Sequence, residues 1–92
     1  MTIIWQIAAR RKLIEIYDYI SSDSKENASK YVQDIRKRTN NILAFHEIGK
    51  VYNISGTKVV RRIIIAKVIS VYYRVEKDRI YVLTIKDNRQ NN

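Results

Sequence analysis

The sequence predicts an α+β fold in which an antiparallel helical hairpin packs on one face of an antiparallel sheet. Two segments in the first half space their apolar residues as amphipathic helices do. The second half consists of β-branched and aromatic runs separated by short polar breaks. The predicted order is therefore one strand, two helices and a meander of three or four strands. A chain of 92 residues has room for one small domain, which we expect to span residues 1–92.

The first strand and the first helix are predicted from local patterns. Residues 2–6 (TIIWQ) are β-branched and aromatic, which favours extended backbone. The helix is predicted within AARRKLIEIYDYI, residues 8–20, and its apolar residues share one face: Ala9, Leu13, Ile16, Tyr17 and Ile20. The segment SSDS interrupts this pattern. Asp23 followed by Glu26 predicts an acidic capping box at the start of a second helix.

The second helix and the strands complete the predicted order. The helix again has one apolar face: Ala28, Tyr31, Val32, Ile35, Thr39, Ile42 and Leu43. Gly49 is expected to end the helical region, and Gly56 to mark a turn. The predicted strands cover residues 50–54, 58–66, 68–76 and 79–86, with tight turns at 66–67 and 77–78.

Alternation along the predicted strand 68–76 separates two faces of the sheet. One set suits a face covered by the helices: Ile69, Val71, Tyr73 and Val75. The other set suits an open face that meets a partner: Ser70, Tyr72, Arg74 and Glu76. Arg61 and Arg62 are sequence neighbours in a strand, so they must point to opposite faces. One should join the open face, and the other must lie at an edge, snorkel or pair with a carboxylate.

The charge of the chain indicates a polyanionic partner. Eighteen Lys and Arg against nine Asp and Glu give a net charge of +9, and residues 47–92 hold ten basic and four acidic residues. Such a surplus favours nucleic acid or an acidic protein as the partner, the alternative being a basic surface without a ligand. No apolar run is long enough to predict a membrane span, and without cysteine there is no disulfide or thiolate site. We expect a cytoplasmic location.

Three segments together resemble the RelE/ParE toxin superfamily: WQIAARRKLIEIYDYI, NASKYVQDIRKRTNNILAFHEIGK and VVRRIIIAKVISVYYRVEKDRIYVLTIKDNRQ. The likeness rests on residues spread over nearly the whole chain: Trp5, Ala9, Leu13, Ile16, Tyr19, Ile20, Ala28, Tyr31, Ile35, Leu43, Phe45, Gly49, Arg61, Tyr73, Val75, Ile80, Asn88, Arg89 and Gln90. The resemblance implies the toxin of a type II toxin–antitoxin module. Its implied partner is a cognate acidic antitoxin, in a toxin–antitoxin hetero-oligomer.

The resemblance also implies a choice between two targets. RelE-like members cut mRNA on the ribosome, whereas ParE-like members act on DNA gyrase by binding. RelE-like nucleases usually have an arginine a few residues before the strand tyrosine, here three before Tyr73, and a C-terminal tyrosine or histidine past the last strand. Here Ser70 precedes Tyr73, and the tail is DNRQNN. This favours the ParE-like function, with a ribosome-dependent mRNA endonuclease as the second hypothesis and a non-catalytic nucleic-acid-binding module as the third.

The predicted binding surface joins the open sheet face to the tail: Arg61, Arg62, Tyr72, Arg74, Lys86, Arg89 and Gln90. If the protein were a nuclease, Arg61 and Arg89 would stabilise charge at phosphorus. His46 would be the candidate base because it alone titrates unperturbed near neutrality, although a solvent-facing position is the alternative. With one histidine and no cysteine, neither a metal site nor a cofactor is expected.

Overall fold

The computed structural model describes residues 1–45 and 47–89, so the predicted site residues His46 and Gln90 lie outside the described residues. Its elements follow in the order β1 (Thr2–Trp5), α1 (Ile7–Ser21), α2 (Lys25–Leu43), β2 (Lys50–Ser55), β3 (Lys58–Ile65), β4 (Ile69–Glu76) and β5 (Arg79–Asp87). The predicted α+β architecture is confirmed.

The sheet has five strands in the order β1-β5-β4-β3-β2. Strands β2 to β5 form the predicted antiparallel meander, while β1 pairs in parallel with the first half of β5, from Thr2 opposite Arg79 to Trp5 opposite Val82. The chain then leaves the sheet to form α1. Among the described residues, therefore, no strand pairs with the outer side of residues 83–87.

The core lies between the sheet and the two helices. Each helix contributes the face that its spacing predicted, with these residues buried: Ala9, Leu13, Ile16, Ala28, Ile35, Thr39 and Leu43. The sheet contributes buried apolar side chains from β3, β4 and β5: Ile63, Ile65, Ile69, Val71, Tyr73, Ile80, Val82 and Ile85. The one hydroxyl that α2 buries here is satisfied, since Thr39 donates to the Ile35 carbonyl at 2.7 Å.

The acidic capping box predicted at Asp23 is wrong by one residue. Ser24 is the N-cap of α2, and its Oγ accepts a hydrogen bond from the Asn27 N–H at 3.1 Å. Asp23 belongs to the preceding turn, where its own N–H donates to the Ile20 carbonyl. Serine and aspartate cap helices about equally well, so the SSDS segment leaves the choice to the geometry of the hairpin.

Two of the predicted turns are confirmed by positive φ angles. Ala66 and Lys67 have φ of 52° and 68°, and Lys77 has φ of 56°. Gly56 also has a positive φ, of 61°. The expectation that Gly49 ends the helical region is wrong, because α2 ends at Leu43 with Ala44 as its C-cap. No helix among the described residues has the length and apolar content needed to cross a membrane.

Candidate functional site

The sheet face turned away from the helices is basic and aromatic. Residues opposite one another on paired strands share a face. One row therefore runs from Lys50 through Arg62 and Tyr72 to Thr84. Further rows place Arg74 beside Tyr81 and Lys86 beside Ser70. We call this surface the open face, defined by Lys50, Tyr52, Arg62, Tyr72, Arg74, Tyr81 and Lys86.

Arginines on the open face stack over tyrosine rings. The guanidinium carbon of Arg62 lies 5.8 Å from the ring centroid of Tyr52, and that of Arg74 lies 5.2 Å from the ring of Tyr81. The Tyr52 and Tyr72 rings meet edge to face, with centroids 4.8 Å apart. The cation–π contact holds Arg62 over the sheet while leaving its N–H groups able to bind an anion, whereas Arg74 is also paired with Glu76.

The open face carries little negative charge. Glu76 is the single acidic side chain on this face within the described strands, and it pairs with Arg74 at 3.2 Å. None of the described carboxylates forms a salt bridge with Lys50, Arg62 or Lys86. The face therefore has a positive potential that attracts an acidic partner.

Arg61 lies on the other side of the sheet, opposite Tyr73 in β4. Its guanidinium donates to the Gly49 carbonyl at 2.9 Å, and the Tyr73 hydroxyl accepts a hydrogen bond from the Gly49 N–H at 2.8 Å. Burial raises the pKa of Tyr73, against smaller opposing effects of the Gly49 N–H and the Arg61 charge, so the hydroxyl stays neutral. We call these three residues the Gly49 clamp.

Gly49 is required by close approach and not by its backbone angle. A Cβ built on this residue would collide with the Tyr73 hydroxyl and lie 2.7 Å from the Tyr73 Cε1. The Tyr73 side chain is completely buried and cannot move aside. The clamp therefore fixes the position of Gly49, directly before β2.

Arg89 also lies on the helix side of the sheet. Its guanidinium makes two hydrogen bonds to the Asp87 carboxylate, at 3.0 and 2.7 Å, and a third to the Tyr31 hydroxyl at 3.1 Å. The Asp87 side chain is only 5% exposed, and its hydrogen bonds from Arg89 hold its pKa below the usual range against the opposing effect of burial. We call Tyr31, Asp87 and Arg89 the tail latch.

The predicted binding residues are therefore divided between two faces. Arg62, Tyr72, Arg74 and Lys86 lie on the open face, whereas Arg61 and Arg89 point to the helix side. Arg61 is in register with Tyr73, but Asp87 is in register with Ile69, four residues further along β4 and roughly 13 Å away at strand spacing. The clamp and the latch were missed from the sequence. Two features of the sequence could have indicated them. Gly49 is one of only two glycines in a chain without proline, which hints at the clamp. Asp87 is an acidic residue at an inward position of β5, which hints at the latch.

A groove of about 470 Å³ runs between α1 and the second half of β5 and continues onto the open face. Its floor is apolar and aromatic, with Ile16, Leu83 and Tyr72 among the lining residues. Its charged lining residues are Lys12, which pairs with Glu15 at 3.2 Å, Lys86, and Asp87, which pairs with Arg89. It adjoins the side of residues 83–87 that no described strand covers. We call it the edge groove. In the described part of the chain, no group of three His, Cys, Asp or Glu residues could hold a metal ion.

Comparison with known proteins identifies the family. The family model of the ParE toxin of the type II toxin-antitoxin system, parDE, matches residues 3–92. The chain belongs to the ParE toxin family. A solved structure described as the chromosomal ParDE TA system from P. aeruginosa is 28% identical to this ParE-family chain, with a TM-score of 0.78 over 95% of each chain. No curated protein sequence shows a significant match.

Membership of the ParE toxin family confirms the superfamily resemblance drawn from the sequence. It also identifies the chain as a type II toxin. Within the ParE fold seen here, the position three residues before Tyr73 is a buried serine: the Ser70 hydroxyl accepts a hydrogen bond from the Asn88 amide at 2.9 Å. That hydroxyl is occupied by the chain's own tail.

Proposed function

We propose that this ParE-family toxin poisons DNA gyrase or the replication machinery by binding, and that a cognate acidic antitoxin neutralises it. The observation that carries the proposal is that the candidate catalytic arginines form hydrogen bonds within the chain itself. Arg61 is engaged by Gly49 and Arg89 by Asp87. Ser70, which stands where RelE-like nucleases have an arginine, is buried and bonded to Asn88. RNA cleavage needs a base, an acid and charge stabilisation at one phosphate. The described residues offer instead a basic, aromatic surface suited to holding a macromolecule.

A ribosome-dependent nuclease would need Arg61 and Arg89 to converge on one phosphate. Their anchoring at Gly49 and Asp87 does not support that arrangement. A nucleic-acid-binding module is supported by the charge of the open face but not by the apolar edge groove, because apolar side chains gain nothing from a phosphate backbone. Binding to proteins therefore agrees better with both surfaces.

Expression without the antitoxin is expected to stop DNA synthesis before protein synthesis. Thymidine and amino-acid incorporation are followed in one culture, and purified gyrase holoenzyme is assayed for supercoiling of relaxed plasmid in the presence of the toxin. Arg62→Glu should raise the toxin concentration for half-inhibition at least about tenfold, because it reverses a charge on the open face. The matched control is Arg11→Glu on the exposed side of α1, which should inhibit like the wild type. Earlier collapse of amino-acid incorporation would contradict the proposed target.

The antitoxin is expected to bind in the edge groove as an extended segment. Residues 83–87 offer a strand edge, and Lys86, which forms no salt bridge with a described carboxylate, attracts an acidic side chain. At 100 times the dissociation constant, binding stabilises the native state by about 2.7 kcal/mol, which corresponds to a rise in melting temperature of roughly 10–20 °C. The antitoxin encoded beside this chain should produce that rise by calorimetry. Lys86→Glu should reduce it and the control Lys37→Glu, on the exposed side of α2, should not. No rise with the wild type would count against neutralisation by this partner.

A further inference from the structure

The loop between α2 and β2 exposes large apolar side chains next to the edge strand β2. Phe45 is 72% exposed, Ile48 is 61% exposed, and Ile64 on the neighbouring strand β3 is 48% exposed. Phe45 and Ile48 line one shallow depression, and Ile48 and Ile64 line the next, so the three side chains form a continuous surface. We call these three residues the loop patch. Single exposed apolar side chains are ordinary, whereas a contiguous patch marks an interaction site.

The backbone beside Ile48 is anchored by side chains of the sheet. In the Gly49 clamp, the buried Tyr73 hydroxyl and the Arg61 guanidinium both form hydrogen bonds with the backbone of Gly49, which directly follows Ile48. Arg61 also reaches the carbonyl of Glu47, at 3.5 Å. Because the backbone on both sides of Ile48 is anchored, less conformational entropy is lost there when a partner binds.

The charges around the loop patch select the partner. Lys50 and Arg62 line the same depression as Ile48 and Ile64, whereas the depression shared by Phe45 and Ile48 has one acidic lining residue, Glu47. The two cations outnumber this carboxylate, so the surroundings of the patch are basic on balance. A second copy of this chain would bring the same cations together and would itself carry +9, so self-association is disfavoured. Nucleic acid would leave the apolar side chains without a partner. An acidic protein surface with exposed apolar residues at its centre matches both features.

We propose that the loop patch is the surface by which this toxin docks on its target protein. The depressions that form the patch share no lining residue with the edge groove, although that groove extends across the open face as far as Tyr52 on β2. The inference rests on the proposed function, in which the chain acts by binding. It assigns the two partners to separate surfaces: the antitoxin to the β5 edge, and the target, an acidic protein surface with an apolar centre, to the β2 edge.

The test is the double variant Phe45→Ser/Ile48→Ser, compared with Ile7→Ser. Ile7 is 58% exposed at the start of α1, so it offers the same chemical change outside the patch. Three quantities are measured for each protein: melting temperature, affinity for the antitoxin by calorimetry, and inhibition of gyrase holoenzyme together with growth arrest on expression. The double variant should keep its melting temperature within about 3 °C, because exposed side chains contribute little to stability. It should bind the antitoxin within twofold of the wild type and inhibit the target at least tenfold less. Ile7→Ser should resemble the wild type in all three.

Two results would overturn the inference. Unchanged inhibition and growth arrest in the folded double variant would remove the patch from the target interface. Loss of antitoxin affinity with growth arrest intact would assign the patch to the antitoxin. If the wild type leaves gyrase unaffected, gyrase is not the target, but growth arrest still tests the role of the loop patch. Loss of growth arrest in the folded, antitoxin-binding double variant would support docking through the patch. Retention of growth arrest in that variant would refute it.

Discussion

Replacing Gly49 by alanine is expected to destabilise the chain by about 2–5 kcal/mol, from overpacking against a buried ring and loss of a buried hydrogen bond. The new methyl group would meet the Tyr73 hydroxyl and ring, which have no free space beside them. Relieving that collision separates the Tyr73 hydroxyl from the Gly49 N–H, so both lose a buried partner. The melting temperature should fall by roughly 10–20 °C, as measured by differential scanning calorimetry.

Gly56→Ala is the matched control for this prediction. Gly56 has a φ of 61°, but a Cβ there would meet no atom within 4 Å. The substitution should therefore lower the free energy of unfolding only by the cost of placing an alanine in the left-handed backbone region, about 1 kcal/mol. If the two glycine variants lost equal stability, or if Gly56→Ala lost more, then close packing against Tyr73 would not be the reason for Gly49.

Arg89→Ala is expected to destabilise the chain by about 1–2 kcal/mol at neutral pH, because it leaves the buried Asp87 carboxylate without its side-chain donors. The Arg89 main-chain N–H, which donates to Asp87 at 3.0 Å, survives the substitution and limits the loss. The cost is thus smaller than for a fully buried ion pair that loses one member.

The cost of Arg89→Ala should also depend on pH. The latch holds the pKa of Asp87 below that of an unfolded aspartate, so its stabilisation is present above about pH 4 and is lost as the pH falls through the lower folded value. The difference between wild type and variant should therefore shrink from pH 7 to pH 3 in urea unfolding. Arg38→Ala is the control: Arg38 pairs with Asp34 on the exposed side of α2, so its loss should cost at most about 0.5 kcal/mol. Equal costs for Arg89 and Arg38 at pH 7 would show that the latch is not stabilising.

The helices and the core were predictable because they depend on short-range periodicity. Leu13 and Ile16 in α1, and Ile35 and Leu43 in α2, repeat at helical spacing, and all four are buried. Strand β4 alternates as expected, with Val71 inward. Local patterns did not reveal the parallel pairing of β1 with β5, because its partners are more than 70 residues apart in the chain.

The sequence by itself determined that Arg61 and Arg62 lie on opposite faces of the sheet, since strand periodicity allows nothing else. Only the tertiary structure decided which of them meets solvent. Pairing with β4 places Arg61 opposite Tyr73, beneath the loop that its guanidinium holds, and Arg62 opposite Tyr72 on the open face. Tertiary packing likewise brings Arg89, beyond the end of β5, into contact with Asp87 and Tyr31. Side-chain period is a local property of the backbone, whereas register is set by packing between segments that are distant in sequence.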